Sequence, residues 1–94
     1  MLKDLDPILH SQLRLSIVSL LVGLEEAEFV YLKEKTNTSA GNLSLQLDKL
    51  QKAGYVSIKK GFKGKYPVTT CKLTTKGMKA FERYVATIKS YIHL

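Results

Sequence analysis

Three features of the chain predict a mainly α-helical domain interrupted by one small β-hairpin. Apolar residues recur at spacings of three and four in four separate stretches, as amphipathic helices require. Between the third and fourth stretches the period drops to two across residues 55–73, and Gly54 stands where the third stretch stops. Ninety-four residues make one domain with a single modest core, too small to hold a separate sensing domain as well.

Behind an N-terminal arm of residues 1–6, Asp6 as N-cap and Pro7 in the first turn open a first helix over residues 7–24. Leu13, Ile17, Leu20, Leu21 and Leu24 make it strongly apolar, so it is expected to be central. His10 and Arg14 lie one turn apart on it and read as structural pairing residues rather than as contacts to a ligand. Glu25, Glu26 and Glu28 crowd the front of a second helix over residues 27–36, where the helix dipole favours negative charge. Phe29, Leu32 and Thr36 form its inward stripe. Asn37 tolerates the left-handed region and Thr38 can cap the next helix, which makes a helix-turn-helix.

The third helix, residues 39–53, buries Leu43, Leu47 and Leu50, and turns Gly41, Asn42, Ser44, Leu45, Asp48, Lys49 and Lys52 elsewhere. Gly54, with Tyr55 packing back on Leu50, ends it in a Schellman-type turn. In the hairpin, residues 55–73, Val56 and Ile58 alternate with Ser57 and Lys59, and Lys60 to Lys65 reads as a turn-rich tip. Phe62 at the tip is expected to anchor the hairpin to the body. Pro67 has no N–H for a ladder, so it belongs at the start or free edge of the returning strand, Val68 to Leu73. Thr74 caps a last helix over residues 75–93, on which Met78, Phe81, Val85, Ile88 and Ile92 form a heptad seam. A seam that narrow suits a second helix, and a chain this small has few internal partners, so a symmetric homodimer is expected. Tyr84 and Tyr91 would flank that seam with their hydroxyls in water.

The net charge is +7, and its distribution is uneven. Residues 53–76 carry Lys59, Lys60, Lys63, Lys65, Lys72 and Lys76 with no acidic residue, whereas the second helix and its approach are net acidic. One-sided positive charge suits a polyanion, because each lysine near a phosphate releases condensed counterions. A solvated, solubilising hairpin is the plainer account of the same lysines. No apolar run reaches the length of a membrane span, and residues 1–7 lack the pattern of a secretion signal, so a soluble, cytoplasmic protein is expected. Cys71 stands alone and reads as a small residue on an inward strand face rather than as a redox sensor. No nucleophile–base pair, phosphate loop or metal-ligand cluster is legible, so neither an enzyme nor a cofactor is expected.

Helix, helix, third helix, two-stranded wing and closing helix are the parts of a winged helix-turn-helix. The chain resembles the small single-domain winged-helix transcriptional regulators of MarR/ArsR type. His10-Ser11-Gln12-Leu13-Arg14-Leu15, Phe29, Leu32, Gly41-Asn42-Leu43-Ser44, Leu47 and Gly54-Tyr55-Val56 carry the resemblance. Lys60, Phe62, Gly64, Pro67, Thr69, Leu73-Thr74 and Gly77 complete it. Two departures touch base preference: Gln46 stands where that group often shows His, and Leu45 is a bulky apolar residue on the outer face.

The expected function is sequence-specific binding of double-stranded DNA by a homodimer at a near-palindromic operator. Ser39, Gly41, Asn42, Ser44, Leu45 and Gln46 are the candidates for base edges in the major groove. Lys49, Lys59, Lys60, Lys63 and Lys65 are the candidates for the DNA backbone or minor groove. The resemblance also permits an unidentified small-molecule effector. The alternative is a winged helix used for contact with an acidic protein partner, and RNA binding ranks below both.

Overall fold

The computed structural model describes residues 4–92. Its elements run α1 (Gln12–Gly23), β1 (Ala27–Glu28), α2 (Phe29–Thr36), α3 (Ala40–Lys52), β2 (Val56–Lys63), β3 (Tyr66–Leu73) and α4 (Thr75–Ile92). Residues 1–3 of the expected arm and residue 93 of the expected last helix lie outside the described residues.

The first helix begins later than residues 7–24 imply. Asp6 does cap the chain, its Oδ1 accepting from the amides of Ile8 at 2.8 Å and Leu9 at 3.4 Å, but this closes only one turn. Ser11 then adopts extended dihedrals (φ −152°, ψ 127°) and its side chain accepts from the amide of Arg14, so α1 starts anew at Gln12. Two N-caps stand five residues apart, and the second controls the helix. Leu9, in the isolated turn, is nonetheless fully buried.

The second helix is shorter than residues 27–36, because Ala27 and Glu28 form an edge strand paired antiparallel to Cys71 and Thr70. Glu25 and Glu26 therefore lie in the connection, and Glu28 is an N-cap with no side-chain capping bond. A two-residue strand set among glutamates has no periodicity to betray it. It makes the sheet three-stranded, in the order β1-β3-β2.

The wing is a tight hairpin rather than two strands with a long tip. β2 and β3 pair from Val56↔Leu73 to Lys63↔Tyr66, leaving only Gly64-Lys65 as the loop. Gly64 sits at φ +66°, the conformation that a type II′ turn asks of its first loop residue. Pro67 lies opposite Phe62, beyond the last rung to β1 at Glu28↔Thr70, so its missing N–H faces an unpaired stretch of edge.

α1 is central, touching α2, α3, α4 and β3. Ile17, Val18 and Leu21 on α1, Leu32 on α2, Leu43, Leu47 and Leu50 on α3, and Val56 and Cys71 in the sheet fill the core. Cys71, opposite Ile58 on one side and Ala27 on the other, is fully buried, and burial pushes its thiol pKa up to about 11. The α4 seam of Met78, Phe81, Val85 and Ile88 is half-buried, and Ile92 is exposed. The face that α4 turns fully inward is a different one, Gly77, Ala80 and Tyr84. Tyr84 is thus not a wet margin residue: it is buried, with its hydroxyl 3.1 Å from His10 Nδ1.

α3, wing and α4 meet at one point. Gly54 (φ +82°) and Tyr55 complete a Schellman ending, with amides donating to Gln51 O and Leu50 O, both at 2.9 Å. The Thr74 amide donates to Tyr55 O at 3.0 Å and its hydroxyl to Gly54 O at 2.6 Å, while the Gly77 amide donates to that hydroxyl at 3.0 Å. The Tyr55 hydroxyl in turn donates to Asp6 Oδ2 at 2.5 Å. Desolvation, reinforced by that bond to a carboxylate, raises the Tyr55 pKa to about 12.

Two outcomes follow from this packing. A Cβ on Gly77 would lie 2.2 Å from Tyr55 O and 2.7 Å from Leu73 Cδ1, whereas one on Gly23 meets nothing within 4 Å. Gly77→Ala is expected to cost about 2–3 kcal/mol in urea denaturation and Gly23→Ala under about 1 kcal/mol. Both raised pKa values belong to acids that ionise more readily when unfolded. Stability should therefore be fully present below pH 9 and fall as pH rises, from 9 through 11 for Cys71 and from 10 through 12 for Tyr55. Unfolding curves at pH 8 and pH 11 (about three units apart) should separate less in Cys71→Ala than in the parent chain, and equal separations would refute the assignment.

Candidate nucleic-acid interface

The helix-turn-helix is built by two local devices. α2 ends on Asn37 in the left-handed region (φ 52°, ψ 49°), with the Thr38 amide reaching back to Lys33 O at 3.4 Å. Ser39, rather than the expected Thr38, is the N-cap of α3, accepting from the amide of Asn42 at 3.1 Å. The Thr38 hydroxyl instead accepts from Asn42 Nδ2 at 3.1 Å.

With Leu43, Leu47 and Leu50 buried, α3 exposes Ser39, Gly41, Asn42, Ser44 and Leu45, while Gln46 is half-buried. Leu45 is 52% exposed, a large apolar group on an otherwise polar face. A Cβ at Gly41 would meet nothing within 4 Å, so its lack of a side chain answers no need inside the molecule. Asn42 and Gln46 belong to a chain of side-chain bonds. Arg14 Nη1 donates to Gln46 Oε1 at 2.6 Å, and Gln46 Nε2 donates to Asn42 Oδ1 at 3.1 Å. Arg14, read from sequence as a pairing residue, does pair, but with the third helix.

The hairpin lysines do not share one face. Strand alternation continues the inward side of β2, Val56 and Ile58, through Lys60 to Phe62, and puts Lys59 and Lys63 on the reverse. On the inward side, Lys60 and its partner Thr69 line an open cleft of about 550 Å³ together with Ser44, Asp48 and Gln51 of α3. On the reverse, Lys59 and Lys63 line a second depression with Glu26 and Glu28, and Lys63 Nζ lies 3.7 Å from Glu28 Oε2. Lys65 is in the turn, and Lys49 is exposed on the last turn of α3, beside the Asp48–Lys52 pair. Phe62 does not anchor the hairpin: it is 78% exposed, and Tyr66 is 76% exposed.

The place of Thr69 opposite Lys60, the Thr38–Asn42 bond and the Arg14 link are not given by the local sequence pattern. Thr69 becomes legible once Gly64-Lys65 is recognised as a two-residue loop, since the register then puts it opposite Lys60. The Arg14–Gln46 bond spans 32 positions and leaves no local trace. Among the described residues, no group of three or more His, Cys, Asp or Glu side chains is arranged to hold a metal ion. No helix of the described residues is long and apolar enough to cross a membrane.

This arrangement, an exposed polar helix after a tight turn with a basic hairpin sharing its cleft, defines a class, and the comparison of sequences agrees. The chain belongs to the winged helix DNA-binding domain family, whose profile matches residues 13–92. It is 47% identical over 79 residues to an uncharacterized protein of Methanocaldococcus jannaschii, covering 83% of this chain and 85% of that one. Its fold is similar to that of a transcriptional regulator homologue from Pyrococcus horikoshii, with TM-score 0.86 and 27% identity over 92% of this chain and 85% of the other. A mutant MarR of E. coli, solved with operator DNA, shares the fold at TM-score 0.72 and 22% identity, covering 85% of this chain and 56% of that one.

Proposed function

We propose that this chain is a transcriptional regulator that binds double-stranded DNA as a homodimer at a near-palindromic operator. The observation that carries this is the cleft in which Ser44, Asp48 and Gln51 of α3 face Lys60 and Thr69 of the wing. A helix seated in a major groove would thereby bring the wing against the flanking backbone. The structural relatives support the same reading, one of them being a MarR protein held on its operator.

In this reading Gly41, Asn42, Ser44 and Leu45 lead into the groove, with Asn42 suited to adenine and Leu45 to a thymine methyl. The Ser39 hydroxyl is engaged as a cap, and Gln46 supports Asn42. Lys60, Lys65 and Lys49 meet phosphates on the α3 side, while Lys59 and Lys63 reach them from behind the hairpin. Lys63 contributes less because Glu28 shares its charge. The dimer forms through the half-buried side of α4, Met78, Phe81, Val85 and Ile88, extended by the exposed Ile92 and by Leu24 of the α1 end. Leu13 and Leu20 of α1 are likewise only half-buried, so the apolar surface left open is shared by both helices. Two α3 helices about 34 Å apart then match half-sites one DNA turn apart.

Two measurements test this. On a duplex recovered from a random pool by the purified protein, about four phosphates neutralised per protomer give a log–log salt slope of about −7 for the dimer. The Lys59→Ala/Lys60→Ala/Lys63→Ala variant, which keeps Lys49 and Lys65, should reduce that slope to about −4 while staying dimeric, with Lys60→Ala the largest single loss. A flat response of the parent chain to salt excludes the regulator in favour of a protein-binding wing. Separately, Val85→Glu/Ile92→Glu places charges in the seam and should give monomers in analytical ultracentrifugation, with a loss of operator affinity of about a hundredfold or more. An unaltered dimer would move the interface off α4.

A further inference from the structure

We infer that Arg14 is a positioning residue for base selection, acting through Gln46 to fix which way the Asn42 amide presents its donor and acceptor. The inference rests on the proposed seating of α3 in the major groove and adds to it a determinant on a helix that does not enter the groove. Arg14 is held in place from behind: Nε donates to Ile8 O at 2.6 Å and Nη2 lies 3.5 Å from Pro7 O. Both carbonyls belong to the turn that Asp6 caps, so the guanidinium is fixed by the segment joining the N-terminal arm to α1. Its third acceptor is Gln46 Oε1, at 2.6 Å.

The direction of the chain follows from donor chemistry. A guanidinium has five N–H donors and no acceptor, so it takes the oxygen of Gln46 and never the nitrogen. Gln46 is then left to donate through Nε2, which requires Asn42 to offer Oδ1 and to turn Nδ2 towards Thr38 Oγ1. At the far end the Thr38 hydroxyl can donate or accept, so it imposes no direction. The order of both amides is therefore set at the Arg14 end. Each amide still has one N–H and one oxygen lone pair uncommitted. On the exposed Asn42 these are the pair that adenine N7 and N6 require. A reversed Asn42 amide would exchange donor and acceptor and no longer match that edge. Lysine cannot replace this function, because a rotating ammonium on a flexible stem does not hold three acceptors in a plane.

The test compares the 94-residue chain with its Arg14→Lys, Arg14→Met, Gln46→Ala and Arg14→Lys/Gln46→Ala variants, each first melted to check folding. Affinity is read by fluorescence anisotropy on a duplex selected by the parent chain, on copies with each adenine–thymine pair replaced in turn, and on a scrambled duplex. Arg14→Lys and Gln46→Ala should each lower the preference for adenine at one position of the half-site by about tenfold. Affinity for the scrambled duplex and the salt slope should not change, and the double variant should lose no more than either single one. Gln46→Ala shortens a half-buried side chain at the margin of α3 and leaves the Arg14 bonds to Ile8 and Pro7 in place, so it reports even where an Arg14 variant fails to fold.

Three outcomes overturn the inference. An equal loss on every duplex in Arg14→Met, with a smaller salt slope, makes Arg14 a phosphate contact. Unchanged base preference in Gln46→Ala removes the relay. A parent chain that selects no duplex defeats the DNA reading itself, and is recognised because there is then no preference to lose.

Discussion

The Thr74 side chain is the point on which the arrangement of this molecule depends. A single hydroxyl donates to the carbonyl of Gly54 at the end of α3 and accepts the amide of Gly77 in the first turn of α4, while the Thr74 backbone bonds Tyr55. The end of one helix, the base of the wing and the start of another helix are thereby joined within a few ångströms. The groups involved are orphan donors and acceptors of helix ends, which must find partners wherever they are screened from water. Because α4 presents glycine at this point, its backbone can approach the Tyr55 carbonyl closely enough for the joint to form. The inclination of the wing relative to α3, and so the cleft between them, follows from that joint.

A second constraint is the division of labour along α4. Gly77, Ala80 and Tyr84 form the inward face, two of them small, and this lets the helix settle on the Tyr55 segment. The larger apolar side chains are displaced round the helix, where the monomer covers them only in part. Tyr84 and His10 add a polar bridge between α4 and the segment preceding α1, whose Ile8 and Pro7 carbonyls hold Arg14.

Charge on the wing is better understood face by face than as a total. Alternation puts Lys60 into the cleft with α3, and puts Lys59 and Lys63 against the acidic stretch at Glu26 and Glu28. The short β1 strand is what brings those carboxylates to the hairpin, so a two-residue element sets negative charge beside the reverse face of the wing.

The helices, their buried stripes and the existence of the hairpin were legible because each rests on local physics. Leu43, Leu47 and Leu50 share a face through the pitch of a helix, Gly54 stops it through its freedom at positive φ, and Val56 and Ile58 alternate through the pleat. At the start of α1 the Asp6-Pro7 signal pointed to a helix from residue 7, whereas Ser11, not legible as a cap among its neighbours, sets the true start at Gln12. Tertiary structure alone settled the pairing of β1, the inward turn of Tyr84, the exposure of Phe62 and the bond from Arg14 to Gln46. Those depend on contacts between residues far apart in the chain, and no periodicity records a contact whose two halves are separated by a fold.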